Sequence, residues 1–446
     1  MDKKSYNRYF IPCIAALGGL LFGFDIGIIS GTIPFIQPYF GWSNLELGWG
    51  VSSILLGAIA GAIVSGIFTE KYGRKRLLVF IALTFAVSSI ITAVTSQSHI
   101  FIMARFLGGL AVGSTSVLVP MYIAEITAPG KRGMFVSIYQ LAIVAGILTS
   151  YIVNFLLHDL DNNWRWMFAT GVVPSVMFFT GLFFIPESPR WLYKAGRKEE
   201  ALAVLGRVRD SKNIQGEILE IAESLKEDTK SVNFRELFRP DVRSAIFVGF
   251  FLAILVQVSG INTIIEYAPK ILIASGVDIS SALLQTSLIG LINFVFTFIA
   301  ILLIDKVGRR VLYIAGSLGM TVSLVMLSFS FFLGFSSLFT LICIMLFIAF
   351  FASCIGPVFW TLVSEIFPNR IRGISVAFIS FTQWIFNFVV VLLFPHFLSL
   401  IGGAGTFLFL AVMSFLQLLF TWLYVPETKG KSLEEIEKYW KTKQII

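Results

Sequence analysis

The chain has 446 residues, of which 57% are hydrophobic and only 13% are charged, and its formal net charge is +8. Soluble domains carry about 25% charged residues, so this composition excludes an ordinary soluble protein and indicates one that lies in a lipid bilayer. Its Lys and Arg residues cluster at one side of the predicted spans, which accounts for the positive charge without a nucleic-acid partner.

Apolar windows long enough to cross a bilayer as helices recur along the whole chain. They lie at residues 10–33, 47–69, 77–96, 100–123, 134–157, 166–185, 244–272, 282–304, 311–333, 338–362, 374–398 and 404–425. The sequence therefore predicts an all-α membrane protein with twelve transmembrane helices in two six-helix halves.

One long polar interval separates the two halves. The predicted organisation is a first bundle at 1–186, a linker at 187–243, a second bundle at 244–425 and a tail at 426–446. From Ile214, apolar residues recur at helical spacing at Ile218, Ile221 and Leu225, so the linker is expected to be helical. Short helices that brace the spans are the simplest interpretation, and a regulatory binding role is the alternative.

The distribution of positive charge predicts the orientation. All but three of the 34 Lys and Arg residues lie on one face, the exceptions being Arg105, Arg165 and Lys270. Basic residues are retained in the cytoplasm, so that face is predicted to be cytoplasmic, with both termini on it. The expected location is the plasma membrane, as a multi-pass protein.

The first span contains a carboxylate, Asp25, inside the segment GGLLFGFDIGIISG (18–31), with no Lys or Arg between Arg8 and Lys71. An ionised carboxylate at that depth costs about 2.5–3.5 kcal/mol even on a mild insertion scale. Arg105 in the fourth span is its predicted partner. A structural ion pair is one interpretation, and a proton carrier whose proton affinity changes during transport is the other.

An internal repeat relates the two halves. GIFTEKYGRKRLL (66–78) reappears as ILLIDKVGRRVLY (301–313), YIAEITAPGKRG (122–133) as LVSEIFPNRIRG (362–373), and PESPRWL (186–192) as PETKGKSL (426–433). Duplicated six-span halves predict a substrate site near the midplane of the membrane.

The charged residues of these repeats recur at the inner ends of the spans, where carboxylates are expected to pair with Arg residues and close the inner face. The predicted inner salt-bridge network is Glu70, Arg74, Glu125, Arg132, Asp305, Arg309, Glu365 and Arg372. Ordinary positive-inside charges would explain the Arg residues but not the matched acids.

Amide side chains inside spans are candidate sugar ligands, because each offers both a donor and an acceptor to adjacent hydroxyls. The candidates are Gln140, Gln257, Asn262, Asn293, Gln383 and Asn387, with Trp360 and Trp384 as ring faces for the sugar. Helix–helix hydrogen bonding is the alternative role for each amide.

Two predicted helix breaks adjoin these residues. Ser259-Gly260 interrupts span 7 and Gly356-Pro357 interrupts span 10, and both are interpreted as moving gates. Glycines at four-residue spacing in spans 2 and 4 instead predict close helix packing.

The ordered motifs resemble the sugar porter family of the major facilitator superfamily over essentially the whole chain. Besides the repeats, QVSGINTIIEYAP (257–269) and GPVFW (356–360) carry the resemblance. The resemblance implies sugar contacts at Gln140, Gln257, Asn262, Trp360 and Gln383, with Phe22, Ile143, Asn293, Trp384 and Asn387 nearby. It also favours proton coupling, because proton-coupled bacterial members of that family carry Asp at position 25, where facilitative members carry Asn.

The sequence departs from the family at two positions. Val256 stands where the family usually has a first glutamine before GIN, which removes a hydroxyl partner and leaves the identity of the sugar open. Glu266 replaces a usual Tyr. An i, i+4 pair with Lys270 is one interpretation of Glu266, and a titratable or selective group at the outer gate is the other.

The sequence thus predicts proton-coupled symport of a monosaccharide, a hexose being favoured, by a protein that works as a monomer. A facilitative uniporter is the alternative, and a sugar sensor with a transporter fold is a third possibility. The expected partners are the sugar, protons and the lipid bilayer. No enzymatic activity, cofactor or metal is expected, because His99, His158 and His396 stand singly and no metal-binding spacing occurs.

Overall fold

A computed structural model describes residues 3–208, 214–227, 234–239, 242–368, 370–431 and 433–442. Within these ranges every regular element is helical, and no strand occurs. The chain divides into two compact units, residues 1–29 with 53–231 and residues 30–52 with 232–446. The predicted boundaries of bundles, linker and tail stay predictions.

The helices of the N-terminal half are, in chain order, α1 (Lys3–Phe40), α2 (Asn44–Tyr72), α3 (Arg74–Val94), α4 (Ser98–Ile126), α5 (Arg132–Leu157), α6 (Asn163–Ala169), α7 (Val172–Leu182), α8 (Pro189–Lys194), α9 (Lys198–Val208) and α10 (Ile214–Glu227). The C-terminal half contains α11 (Arg243–Val258), α12 (Ile261–Ala274), α13 (Ile279–Val307), α14 (Arg309–Leu333), α15 (Ser337–Cys354), α16 (Gly356–Ile366), α17 (Arg372–Leu400), α18 (Gly402–Tyr424) and α19 (Leu433–Thr442). Short 3₁₀ turns occur at Pro129–Lys131 and Phe234–Phe238.

Eleven spans are long and apolar enough to cross a membrane, among the residues described. The sixth predicted span, 166–185, instead consists of the short helices α6 and α7, separated at Thr170 and Gly171. A Cβ on Gly171 would lie 2.6 Å from the hydroxyl oxygen of Ser89, so the glycine lets this break pack against α3. Counted with this broken span, the predicted twelve are present.

Glycines join α2 to α4 in the first unit, as the four-residue spacing predicted. The Cα atoms of Gly57 and Gly109 face each other so closely that a Cβ on either would lie 2.9 Å from the other. Gly61 and Gly113 extend the seam by packing against the backbone of the opposite helix, at Leu110 and Ala58. Without side chains, the two helices come close enough for backbone contact.

Both predicted helix breaks are present in the second unit. Gly260 has φ +88°, a left-handed conformation that glycine adopts without steric cost, and it separates α11 from α12. The break in span 10 falls at Ile355, between α15 and α16, directly before Gly356 and Pro357.

The predicted helical linker is confirmed where the structure describes it, by α8, α9 and α10. The start of helix α8 carries Ser188 and Pro189, two residue types that are typical of a helix start. The Ser188 hydroxyl accepts a hydrogen bond from the backbone N–H of Trp191 at 3.3 Å, and Pro189 occupies the first turn.

Candidate functional site

Asp25 and Arg105 form an ion pair within the first unit, between α1 and α4. Arg105 Nη1 lies 2.9 Å from Asp25 Oδ1, and Arg105 Nη2 donates to the Asp25 carbonyl at 3.4 Å. The Arg105 side chain is 1% exposed and that of Asp25 is 13% exposed. Only one carboxylate oxygen is used, since the buried Oδ2 has no hydrogen-bond partner among the residues that the structure describes.

The surroundings of this pair leave room for the second oxygen. Gly108 lies one turn after Arg105, and a Cβ there would stand 3.3 Å from Asp25 Oδ2 and 2.7 Å from Ser88 Oγ. The Ser88 hydroxyl donates to the Ala104 carbonyl at 2.7 Å, and the ring of Phe168 lies 5.7 Å from the guanidinium carbon. Arg105 therefore holds the carboxylate through Oδ1, and the space left by the missing side chain of Gly108 adjoins Oδ2.

Three predicted sugar residues lie in the first unit. Phe22 is on α1, and Gln140 and Ile143 are on α5; all three are partly exposed. A Cβ on Gly23 would contact the Ile143 backbone, so α1 and α5 touch directly beside these residues.

The other predicted sugar residues lie in the second unit. Across the Gly260 break, Asn262 Nδ2 donates to Gln257 Oε1 at 2.8 Å, so the kink brings these two amides together. Asn293 on α13 and Asn387 on α17 are buried, at 6% and 5% exposure. The remaining three, which retain more solvent exposure, are Trp360, Gln383 and Trp384.

Glu266 and Lys270 follow on α12. Glu266 is 1% exposed, whereas Lys270 is partly exposed and donates to Gln37 Oε1 at 2.7 Å and to Asn44 Oδ1 at 3.5 Å. Both interpretations of Glu266 stay predictions, since an ammonium has three donors and these bonds do not exclude a further one.

The partners of Lys270 come from the end of α1 and the start of α2, which belong to the second unit. The same segment packs closely on α17. A Cβ on Gly48 would contact the Leu392 backbone, and the rings of Trp49 and Phe388 have centroids 5.7 Å apart.

Arg74 is the centre of a charge cluster in the first unit. Its Nε lies 2.9 Å from Glu125 Oε2 and its Nη2 lies 2.8 Å from Glu125 Oε1, a bidentate pair, while Nη2 also approaches Glu70 at 3.5 Å. Glu70 in turn pairs with Lys194 of α8. The structure thus connects α2, α3, α4 and the linker.

Arg309 is the centre of the corresponding cluster in the second unit. Its Nη2 lies 3.1 Å from Glu365 Oε1, and the other oxygen of Glu365 accepts a 2.6 Å hydrogen bond from the Thr428 hydroxyl.

The three remaining predicted gate residues are placed differently. Arg132 is exposed at the start of α5 and forms no ion pair with a described residue. Arg372 Nη2 approaches the Phe367 carbonyl at 3.5 Å. The side chain of Asp305 lies outside the described part of the chain.

Comparisons with known proteins agree with this architecture. A family model described as "Sugar (and other) transporter" matches residues 11–440. The chain belongs to this family. It is 38% identical to an arabinose-proton symporter of Bacillus subtilis over 96% of this chain and 94% of that one. It is also 38% identical to a D-xylose transporter of Levilactobacillus brevis, over 97% and 96% of the two chains.

Solved structures give the fold of the sugar transporter. An inward open conformation of the xylose transporter XylE from E. coli matches with a TM-score of 0.86 and 34% identity, over 96% of this chain and 99% of that one. A second XylE structure, identified as a major facilitator superfamily protein, matches at a TM-score of 0.82. The fold is therefore the twelve-helix major facilitator fold, and the family consists of transporters rather than enzymes.

Two acids of this sugar transporter that accept hydrogen bonds at helix starts were not among the predicted site residues. Glu187 accepts backbone N–H groups of Arg74 at 2.9 Å and of Lys75 at 3.1 Å. Glu427 accepts those of Arg309 at 3.0 Å and of Arg310 at 3.2 Å. Each carboxylate caps the start of a helix, where its negative charge interacts favourably with the positive end of the helix dipole. The repeat of PES and PET was the sequence signal for both.

Proposed function

We propose that this sugar transporter couples the uptake of a monosaccharide to protons, with Asp25 as the proton carrier and Arg105 as its partner. The observation that carries the proposal is the buried carboxylate, with one oxygen bonded to Arg105 and the other without a partner in the described part of the chain. A proton can bind there without first displacing a hydrogen bond. Relatives named as an arabinose-proton symporter and a proton:xylose symporter support the same chemistry.

The driving force is adequate for accumulation. One proton moving down 100 mV supplies about 2.3 kcal/mol, and every 1.4 kcal/mol is a factor of ten, so one-to-one coupling concentrates sugar by very roughly fortyfold. We propose a hexose as substrate; a relative named as a glucose transporter is 36% identical.

The proposed sugar ligands are the amides and rings predicted from the sequence. In the second unit, the bonded pair Gln257 and Asn262 offers a donor and an acceptor at a break in a helix, where the backbone can bend. Gln140 with Phe22 and Ile143 forms the proposed contribution of the first unit. Sugar binding would replace the Gln257–Asn262 hydrogen bond with bonds to adjacent hydroxyls.

The proposed gates lie at both ends of the spans. At the outer end, Gly260, Glu266 and the Lys270 contacts with Gln37 and Asn44 would open and close together. At the inner end, Gly356 and Pro357 would bend span 10, and the two Arg-centred clusters would hold the closed arrangement. With basic residues retained inside, the protein would lie in the plasma membrane with both termini in the cytoplasm, and would act as a monomer.

Uptake into proteoliposomes tests the proposal. An imposed proton gradient, inside alkaline, should drive accumulation of labelled sugar above the outside concentration, and a protonophore should abolish it. Counterflow with a panel of labelled hexoses and pentoses identifies the substrate without needing a gradient. Equilibration that never exceeds the outside concentration, with or without the protonophore, would indicate a uniporter.

A further inference from the structure

A cavity of about 540 Å³ lies at the junction of α3 with the linker helices α8 and α9, away from the proposed sugar site. Its wall has a charged part and an apolar part. The basic residues are Lys75, Arg76, Arg197 and Arg207, and the acids are Glu187 and Glu200. The apolar part includes Val79, Pro186 and Val204.

Both acids of the cavity are already engaged. Glu187 accepts the backbone N–H groups of Lys75 and Ser188, at 3.1 and 2.8 Å. Glu200 receives two hydrogen bonds of 2.6 Å from Arg197. Among the described residues, the Arg76 and Arg207 side chains take part in no such bond, and both are exposed. The cavity therefore presents two uncommitted guanidinium groups.

The structural repeat does not account for these two groups. The loop that precedes α3 matches the one that precedes α14 at an offset of 235 residues, which pairs Lys75 with Arg310 but places Val311 opposite Arg76. Arg207 lies on α9, beyond the PESPRWL segment (186–192) that is repeated in the second half. The helix-capping motif common to both halves therefore works without them.

The cavity lies where the lipid-facing surface ends. Phe80, one turn beyond Arg76 on α3, is 65% exposed, and Phe183 and Phe184, which directly follow α7, are 63% and 71% exposed. Large apolar side chains so exposed in a membrane protein face acyl chains. Basic side chains directly beyond such a surface are at the depth of lipid headgroups.

We infer that this cavity binds the phosphate headgroup of an anionic phospholipid, with Arg76 and Arg207 contacting the phosphate and the acyl chains lying along the exposed phenylalanines. Guanidinium groups suit phosphate because their planar donors match its oxygens. A soluble phosphate would use the guanidinium groups but leave the apolar wall unfilled, which is why the lipid is favoured. The bound lipid would fasten the linker helix α9 to the membrane end of α3.

Native mass spectrometry of the detergent-solubilised full chain tests the inference, with phosphatidylglycerol, phosphatidylcholine, glycerol 3-phosphate and inorganic phosphate as the added probes. Wild type should retain phosphatidylglycerol in preference to phosphatidylcholine. The double variant Arg76→Gln/Arg207→Gln should bind phosphatidylglycerol roughly tenfold or more weakly, since each basic residue contributes separately near a headgroup. Lys71→Gln/Lys198→Gln is the matched control, because it removes two exposed cations of the same unit that do not line the cavity.

Each other result overturns the inference. If the control variant loses as much phosphatidylglycerol binding as the Arg variant, only the overall charge of the protein determines binding. If the Arg variant binds phosphatidylglycerol as wild type does, the cavity is not the lipid site. If glycerol 3-phosphate binds as tightly as the lipid, the ligand is a soluble phosphate. Should the double variant fold poorly, the single variant Arg207→Gln, at an exposed position, provides the same comparison with Lys198→Gln.

Discussion

Two buried ion pairs of the first unit use their carboxylates in different ways. Glu125 bonds Arg74 through both oxygens, at 2.8 and 2.9 Å. Asp25 bonds Arg105 through one oxygen at 2.9 Å, and its other oxygen has no partner within the described ranges. Both arginines are almost fully buried, at 4% and 1% exposure.

We propose that this difference separates a structural pair from one that binds a proton. A carboxylate with both oxygens bonded to a guanidinium loses hydrogen bonds when it is protonated, whereas Asp25 Oδ2 has none to lose. The geometry therefore favours Glu125–Arg74 as a tie between helices and Asp25–Arg105 as the site where a proton binds. Variants that remove one partner of each pair should have different consequences.

The largest effect is expected from Asp25→Asn. The amide keeps the size of the carboxylate but cannot carry a proton, so accumulation of sugar driven by a proton gradient should be abolished while counterflow persists. Uptake and counterflow measured in the same proteoliposomes check this, with Glu200→Gln, at an exposed acid of the linker, as the control. Accumulation by the Asp25→Asn variant would place the coupling group elsewhere.

Arg74→Gln should mainly reduce stability. Breaking a buried pair by removing one partner costs about 3–5 kcal/mol, because the other charge is left uncompensated. The apparent Tm of the purified protein should fall by several degrees, and the double variant Arg74→Gln/Glu125→Gln should recover part of the loss. Lys71→Gln, which removes an exposed cation, is the control. A stable Arg74→Gln protein that has lost only coupling would reverse the roles assigned to the two pairs.

Gly108→Ala should weaken coupling by crowding the open side of Asp25. Its Cβ would stand 2.7 Å from Ser88 Oγ and 3.3 Å from Asp25 Oδ2, so the serine must shift or the helices must separate beside the carboxylate. Overpacking of this kind costs about 1–3 kcal/mol, and each 1 kcal/mol that falls on one protonation state of Asp25 changes its proton affinity roughly fivefold, so accumulation should fall measurably. The second variant Ser88→Ala/Gly108→Ala removes the clash and should restore accumulation. Failure of that rescue would exclude crowding as the cause.

Glu365→Gln in the second unit should have the smallest effect. Glu365 is 28% exposed and bonds Arg309 through one oxygen at 3.1 Å, while a glutamine oxygen could still accept from Thr428. Solvent screening reduces the value of such a pair to about 1 kcal/mol or less. The fall in apparent Tm should be smaller than for Arg74→Gln, and an equal fall would show that the two clusters are equivalent in strength.

Features with a local or repeated signal could be predicted from the sequence. The spans follow from apolar length, the breaks at Gly260 and before Gly356 from glycine and proline chemistry, and the partnership of Asp25 with Arg105 from the cost of burying either alone. The free Oδ2 could not be predicted, because it depends on the space that Gly108 leaves between helices. The matched repeats predict that an acid pairs with an Arg residue, but they do not indicate whether one or both carboxylate oxygens take part.

Long-range packing explains what the sequence analysis missed. Glu187 and Glu427 cap helices that begin more than 100 residues away, at Arg74 and Arg309, so no local pattern reports the contact. The segment 30–52 belongs to the second unit although it is continuous with helices of the first. The division of the sixth span reflects packing of Gly171 beside Ser89, which hydropathy does not register.

The external pH of a suspension of sealed proteoliposomes tests the central claim most directly. With no gradient imposed, adding the transported sugar should make the medium alkaline as protons enter with it, a protonophore should remove the signal, and the Asp25→Asn variant should show none. Counterflow in the same preparation would establish that the protein is active. If active wild-type protein causes no alkalinisation with any transported monosaccharide, or Asp25→Asn causes as much as wild type, Asp25 is not the proton carrier.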